Sequence, residues 1–162
     1  MCEIKYIQGD LFAALKERSS VKPLFIPHVV NSKNAWGSGF VVPLGKQFPE
    51  SKAKYHSWAQ GEIESPPFEL GQTQFVVVGG LVCVCNMLAQ TLGGVRPLYY
   101  NHLARCMDAV AAKAIKTQGE IWAPMFGSGL AGGNWEFIEQ LIHDAWAQQN
   151  IPVTIYHLEP LA

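Results

Sequence analysis

PMFGSGLAGGNW, residues Pro124 to Trp135, joins a strand-like run (Glu120–Ala123) to a helix-like run over residues 134–149. It holds four glycines between Gly127 and Gly133. Glycine lets the backbone approach an anion closely and turn its N–H groups inward, and a helix start adds unpaired N–H groups. The stretch therefore predicts a seat for phosphate. The alternative is an ordinary turn between a strand and a helix, for which one or two glycines suffice.

The bulk composition predicts one globular domain of residues 1–162. Apolar residues make up 49% of the 162 residues and charged residues only 15%, which is enough for a sizeable core. Twelve basic and thirteen acidic side chains give a net charge of −1. That balance argues against binding to a nucleic-acid backbone, and it leaves room for a small anionic ligand held by backbone N–H groups.

The N-terminus and the cysteines predict a reduced, cytoplasmic protein, which we expect to be a monomer. Residues 1–5 read as the start of a strand rather than as a signal peptide, and no run of 18 apolar residues predicts a membrane span. Cys83 and Cys85 alternate within an apolar run and have no second pair at ligand spacing, so neither they nor Cys2 and Cys106 predict a metal site. We expect buried, reduced thiols and no cofactor.

Apolar periodicity predicts an α/β fold with a mixed sheet between helical layers. Pro27 lies within an apolar strand, where a residue without an N–H predicts a bulge or irregular pairing. A Gly79-Gly80 pair predicts a hairpin. The predicted strands are Glu3–Gln8, Leu24–Asn31, Leu70–Val78, Leu81–Cys85, Ile121–Met125 and Pro152–Leu158, and the predicted helices are Leu11–Arg18, Phe40–Phe48, Glu50–Gln60, Pro97–Gln118 and Asn134–Gln149.

Three loops that follow strands carry polar and glycine residues. They are Gly9–Leu11, Asn31–Phe40 and Gly127–Trp135, and residues 86–90 are a possible fourth wall. Because loops after the C-terminal ends of strands share one edge of an open sheet, we expect them to converge. One carboxylate, several amides, free N–H groups and aromatic rings suit a nucleotide diphosphate.

Several of these residues have a structural alternative. Asp10 is either an N-cap of the first helix or a carboxylate at the ligand edge. His28 is either a satisfied core residue or a general acid or base. Asn34 and Asn86 either orient a water or ribose hydroxyl or hold their own loops, and Trp36 is either an anchor of its loop or part of the site.

These motifs resemble those of the macrodomains, the α/β/α modules that bind ADP-ribose. Gly9-Asp10-Leu11-Phe12 resembles the family's first strand end, and Pro124–Leu130 resembles its second phosphate loop. Val29–Ser32, followed by Gly37–Phe40, resembles its asparagine-containing loop. The resemblance implies a three-layer α/β/α fold with a central mixed, mostly parallel sheet of about six strands.

Within that family the chain resembles the branch of the ADP-ribose 1″-phosphate phosphatases and terminal ADP-ribose glutamate hydrolases. By that resemblance Asp10 binds the adenine amine, and His28 and Asn34 are the candidate catalytic residues. The implied ligand-binding residues are Asp10, Leu11, Asn31, Ser32, Asn34, Trp36, Gly37, Ser38, Gly39, Phe40, Asn86, Met87, Phe126, Gly127, Ser128, Gly129, Leu130, Ala131 and Gly132.

Two departures bear on the chemistry. The glutamate hydrolases use a lysine and an aspartate, whereas Asn86 and Ala131 stand at the positions aligned with them, so a lysine–sugar adduct is not expected. The sequence favours a hydrolase acting on ADP-ribose 1″-phosphate or on an ADP-ribosyl ester. Two alternatives stay open: a non-catalytic reader of ADP-ribose, and an α/β interaction protein without a nucleotide site.

Overall fold

A computed structural model describes residues 1–161 and shows strands and helices that alternate along the chain. The strands are β1 (Ile4–Gln8), β2 (Leu24–Asn31), β3 (Thr73–Gly79), β4 (Val82–Gln90), β5 (Glu120–Pro124) and β6 (Val153–His157). The helices are α1 (Leu11–Glu17), α2 (Val41–Gln47), α3 (Pro49–Ala59), α4 (Tyr100–Thr117) and α5 (Trp135–Ala145), and a 3-10 turn covers Ala147–Gln149.

The six strands form one mixed sheet in the order β1-β6-β5-β2-β4-β3. Every neighbouring pair is parallel except the hairpin of β3 and β4, which is antiparallel. The predicted α/β fold with a mostly parallel sheet of six strands is therefore confirmed, and so is the hairpin at Gly79-Gly80.

Helices cover both faces of the sheet. On one face α4 and α5 bury the predicted stripe that includes Leu103, Met107 and Ile138 against the central strands. On the other face α1, α2 and α3 pack over two smaller clusters, in which Leu44 and Trp58 are fully buried. Both faces of the central strands are thus covered, which explains why β2 is almost entirely apolar.

The sheet opens between β2 and β5 toward their C-terminal ends. The two strands pair only where Leu24 and Phe25 lie beside Glu120 and Ile121, whereas β2 stays paired with β4 along its length. The irregularity predicted at Pro27 is confirmed on the β5 side of the strand.

Two prolines explain this opening. Successive residues of a strand direct their N–H groups toward opposite neighbouring strands. Leu24 donates to Leu81 beside β4, so Pro27, three residues later, faces β5. Glu120 donates toward β2, so Pro124, four residues later, also faces β2. Because proline has no N–H, two consecutive bonds between β2 and β5 cannot form.

Four predicted boundaries are wrong by three or more residues. β3 begins at Thr73 rather than Leu70, and α4 begins at Tyr100 rather than Pro97. The strand predicted to end at Cys85 continues to Gln90, because β4 lies between two partners and stays paired to its end. The last predicted helix ends at Ala145 rather than Gln149, and the chain tightens there into the 3-10 turn that closes with Asn150 in the left-handed conformation.

Candidate functional site

A cleft of about 380 Å³ lies over the C-terminal ends of β2, β4 and β5. The gap between β2 and β5 is its floor, as expected of a ligand site in an open α/β sheet. Three segments that follow these strands form its walls, residues 35–41, 92–97 and 125–131. The lining consists of His28, Val29, Val30, Asn31, Ala35, Gly37, Ser38, Gly39, Phe40, Val41, Gln90, Leu92, Gly93, Gly94, Pro97, Pro124, Met125, Phe126, Gly127, Gly129, Leu130 and Ala131.

The wall after β5 presents unpaired backbone donors. Along the part of the chain that the structure describes, the N–H groups of residues 127–131 donate to no protein acceptor. Gly127 has φ +77°, a left-handed conformation that favours glycine and that turns the chain after Phe126. A run of five free donors on a glycine-rich turn is a feature that suits the binding of an anion.

A second glycine loop, residues 92–94, contributes to the cleft and packs against the first. Leu98 N–H donates to Ala131 O at 3.2 Å. A Cβ on Gly132 would collide with the carbonyl oxygen of Val95. Since Gly132 also has φ +76°, any other residue there would push the two loops apart. The sequence pattern identifies residues 91–95 only as a loop, because it predicts no strand that leads directly into them.

Asn31 shapes the wall after β2 with its own side chain. Its Oδ1 accepts from the N–H groups of Lys33 (3.0 Å) and Ala35 (3.1 Å), and its Nδ2 donates to Ala35 O at 2.8 Å. Tyr55 donates to the backbone oxygen of Asn31 at 2.5 Å. The amide therefore holds the loop in its turn, and it lines the cleft with its polar atoms already used.

His28 lies in the cleft floor and is 2% exposed. Its Nε2 lies 2.5 Å from Asn86 Oδ1, and its Nδ1 is buried without a hydrogen-bond partner in the described chain. Trp36 and Phe40 pack on the ring, with centroid distances of 5.4 and 5.9 Å. Burial among these uncharged groups lowers the pKa of His28 to about 4, although the hydrogen bond with Asn86 opposes the shift. The imidazole is neutral near pH 7.

Eleven of the predicted site residues meet in this cleft. They come from three separate parts of the chain, as the sequence predicted. They are His28, Asn31, Gly37, Ser38, Gly39, Phe40, Phe126, Gly127, Gly129, Leu130 and Ala131.

Nine predicted residues lie outside the lining: Asp10, Leu11, Ser32, Asn34, Trp36, Asn86, Met87, Ser128 and Gly132. Four of them are buried or held elsewhere. Met87 and Asn86 are fully buried in β4, and Leu11, the first residue of α1, is buried. Asn34 directs its Oδ1 to His56 Nδ1 of α3 at 2.5 Å, which is the loop-holding role that the sequence leaves open.

Three more of the residues outside the lining are held by hydrogen bonds to residues close to them in the sequence. Trp36 donates to Val41 O at 2.9 Å and so anchors its loop. Ser128 donates to Met125 O at 2.8 Å. Asp10 caps α1 by accepting from Phe12 N at 2.9 Å. Asp10 still follows β1 at the same sheet edge as the cleft, and β1 lies two strand spacings, or about 10 Å, from β5.

Within residues 1–161, the lining of the cleft contains no acidic side chain, lysine or arginine. Arg96, in the wall segment 92–97, lies outside the lining with its guanidinium 4.5 Å from the centre of the Tyr100 ring. Gln90, at the end of β4, is the polar side chain that enters from this strand, in place of the predicted Asn86. The sequence pattern does not reveal its position, because the predicted strand ends too early. Electrostatic attraction for an anion therefore comes from backbone N–H groups rather than from side-chain charge.

Within residues 1–161 there is neither a cluster of metal ligands nor a helix that could cross a membrane. No group of three or more His, Cys, Asp or Glu side chains has the geometry of a metal site. The helices are all too short or too polar to span a bilayer. Cys85 and Cys106 are buried, Cys2 and Cys83 are half-buried, and all four are free thiols.

The chain resembles solved proteins over nearly its whole length. No family model matches the chain. The chain is 35% identical to a macrodomain protein from Streptomyces coelicolor, with a TM-score of 0.81 and coverage of 96% of this chain and 99% of that one. A protein of unknown function from Bacteroides thetaiotaomicron is 34% identical, with a TM-score of 0.85 and coverage of 96% and 98%.

Two more distant similarities extend the comparison. An uncharacterized 17.5 kDa protein from the tk-vs intergenic region of Enterobacteria phage T4 is 27% identical over 165 residues, 98% of each chain. DarTG of Thermosipho africanus, solved in complex with ADP-ribose, has the same fold at 16% identity and a TM-score of 0.74, over 98% of this chain and 43% of that one. From the fold, the cleft and the 35% identity over nearly the whole length, the chain belongs to the macrodomain family.

Proposed function

We propose that this chain binds ADP-ribose, or a derivative of it, in the cleft over β2, β4 and β5. The observation that carries the proposal is the run of free N–H groups from Gly127 to Ala131 beside an uncharged, partly aromatic cleft. Family membership supports it, and so does the shared fold of DarTG, which was solved with ADP-ribose bound.

Each part of ADP-ribose has a counterpart along this edge of the sheet. The diphosphate fits the N–H groups of residues 127–131. The adenosine half extends toward the end of β1, where the carboxylate of Asp10 is exposed and can accept from the adenine amine. The distal ribose lies at the other end of the cleft, between residues 37–40 and His28.

We further propose hydrolysis at the distal ribose, with His28 as the group that accepts a hydrogen bond from the attacking water or from a ribose hydroxyl. For an ADP-ribosyl ester the reaction consumes one water and releases ADP-ribose and the carboxylic acid. His28 suits this role because its free Nδ1 carries a lone pair and the ring is neutral. Asn34 is not part of this proposal, since its side chain is held by His56.

A second candidate is a reader that binds ADP-ribose without turnover. The absence of acidic side chains, lysines and arginines from the described lining favours it. With His28 as the sole ionisable side chain of that described lining, rate enhancement would depend on positioning and on backbone donors.

Calorimetry and a turnover assay separate these candidates. ADP-ribose should bind with a micromolar Kd or tighter, about −8 kcal/mol, whereas AMP should bind more weakly because it lacks the second phosphate and the distal ribose. Incubation with ADP-ribose 1″-phosphate and with a glutamate-linked ADP-ribosyl peptide then tests for release of product.

A hydrolase turns over one of these substrates, and His28→Ala abolishes turnover while ADP-ribose binding is weakened but still measurable. A reader binds and leaves both substrates intact. Absence of binding at millimolar ADP-ribose would refute both candidates and favour an interaction protein without a nucleotide site.

A further inference from the structure

A buried row of polar side chains crosses three strands beneath α3. His28 of β2 lies beside Asn86 of β4, and Asn86 lies beside Gln74 of β3 in the register of the sheet. Their exposed fractions are 2%, 0% and 5%, respectively. Burying a polar side chain costs free energy unless it has a hydrogen-bond partner. The partner of each donor and acceptor in this row therefore determines how the side chains are oriented.

Backbone oxygens of α3 fix the orientation of the two amides. Gln74 Nε2 donates to Lys54 O at 2.9 Å. Since a carbonyl oxygen can only accept, Gln74 must present its NH₂ group there and its Oε1 to Asn86. Asn86 therefore presents Nδ2 to Gln74 Oε1 at 2.9 Å, and the same NH₂ group donates to Ser51 O at 3.3 Å.

This orientation determines which nitrogen of His28 carries the proton. Asn86 has only Oδ1 left for His28, and an amide oxygen can only accept. His28 Nε2, 2.5 Å away, must then be the donor. A neutral imidazole has one N–H, so Nδ1 keeps its lone pair. Nδ1 is also the atom of this ring without a partner in the described chain.

We infer that Gln74 and Asn86 are positioning residues, which hold His28 as the Nε2–H tautomer and leave the lone pair on Nδ1. Nδ1 is buried in this structure, so a ligand hydroxyl or water donates to it once Trp36 or Phe40, which pack on the ring, moves aside. The role of this acceptor in binding rests on the proposed function. An unpaired buried acceptor is unfavourable in the free protein, and a hydroxyl donor supplied by the ligand relieves it. A distal phosphate, which has no donor once it is fully ionised, does not.

The floor of the cleft at His28 therefore suits a ligand hydroxyl, such as that of a ribose, rather than an anionic group. Both candidate substrates keep two of the three hydroxyls of the distal ribose. Either can place a free hydroxyl against His28, with its 1″ substituent, acyl or phosphate, directed away from the ring.

Nuclear magnetic resonance tests the tautomer directly. Long-range ¹H–¹⁵N spectra of the histidine ring distinguish Nε2–H from Nδ1–H, and His28 can be assigned by comparison with His28→Gln. We expect Nε2–H in the unmodified protein. Gln74→Met breaks the series of hydrogen bonds that links α3 to His28, and residue 74 does not line the cleft. In this variant we expect the Nδ1–H tautomer of His28 to become populated. We also expect the affinity for ADP-ribose to fall at least fivefold.

Thr73→Val is the matched control. Thr73 is adjacent to Gln74 and equally buried, and it donates to Cys106 O at 3.1 Å under α4, on the opposite face of the sheet. It should change neither the tautomer nor the affinity. A loss of affinity common to both variants would show a general packing effect and overturn the positioning role of Gln74.

The spectrum of the unmodified protein needs no variant to fold. If His28 is Nδ1–H there, the inference is wrong whether or not ADP-ribose binds. If calorimetry of the same sample shows no binding while the tautomer is Nε2–H, the proposed function fails and the orientation of the row stands. An unchanged tautomer in folded Gln74→Met would refute the role of Gln74.

Discussion

Acidification should destabilise this protein through His28, and His28→Gln should remove that part of the effect. The pKa of His28 is lowered from 6.5 to about 4 by burial. The unfolded chain therefore binds more protons than the folded chain between pH 6.5 and pH 4. The stabilisation is fully present above pH 6.5 and is lost as the pH falls through this window.

The magnitude follows from the two pKa values. Integrating the linkage relation gives a loss of about 1 kcal/mol at pH 5.5 and about 2–3 kcal/mol at pH 4.5, relative to pH 7.5. That is a large part of the total stability of an ordinary domain. The side chains packed on the ring, Asn86, Trp36 and Phe40, carry no charge that would offset it.

Urea unfolding at pH 7.5, 5.5 and 4.5 measures this loss for the unmodified protein and for His28→Gln. The substituted amide side chain can still donate to Asn86 but does not titrate. Contributions common to both proteins, including that of His56, whose pKa is also lowered by burial, cancel in the difference. We expect the unmodified protein to lose about 2–3 kcal/mol more than the variant by pH 4.5. Parallel pH profiles for the two proteins would refute the assignment of His28 as a buried neutral base.

Three further substitutions test the cleft and its loops. Gly133→Ala should lower the free energy of unfolding by about 1–3 kcal/mol, because a Cβ there collides with Gly127 O; a denaturation midpoint equal to that of the unmodified protein would contradict the loop packing. Gly129→Ala meets nothing within 4 Å, so stability should change by less than about 0.5 kcal/mol while ADP-ribose affinity falls severalfold, and unchanged affinity would place the diphosphate elsewhere. Asp10→Asn keeps the cap of α1 but loses the carboxylate, so calorimetry should show weaker ADP-ribose binding at unchanged stability; equal affinity would remove Asp10 from the adenine site.

Much of the fold follows from the sequence because the decisive signals are local. Glycine turns, a helical stripe around Leu103 and the apolar run of β2 each identify an element without reference to its neighbours. The position of Pro27 even predicts where pairing becomes irregular. The matching role of Pro124 could not be predicted, because it depends on β5 lying next to β2 with a particular register.

The site is less predictable from the sequence, for a physical reason. Sequence identifies which loops reach the cleft but not the direction of each side chain. Asn34 and Ser128 are polar residues in the correct loops, yet each is held by a hydrogen bond to a nearby residue and does not itself line the cleft. Gln90 and the loop of residues 92–94 enter the cleft only because β4 runs five residues beyond Cys85.

A crystal structure of the protein with ADP-ribose tests the central claim most directly. We predict that the diphosphate oxygens lie within hydrogen-bond distance of the N–H groups between Gly127 and Ala131, with a distal ribose hydroxyl on His28 Nδ1. Density for the nucleotide elsewhere, for example in the opening between Ile115 and Gln149 at the other end of the sheet, would contradict it.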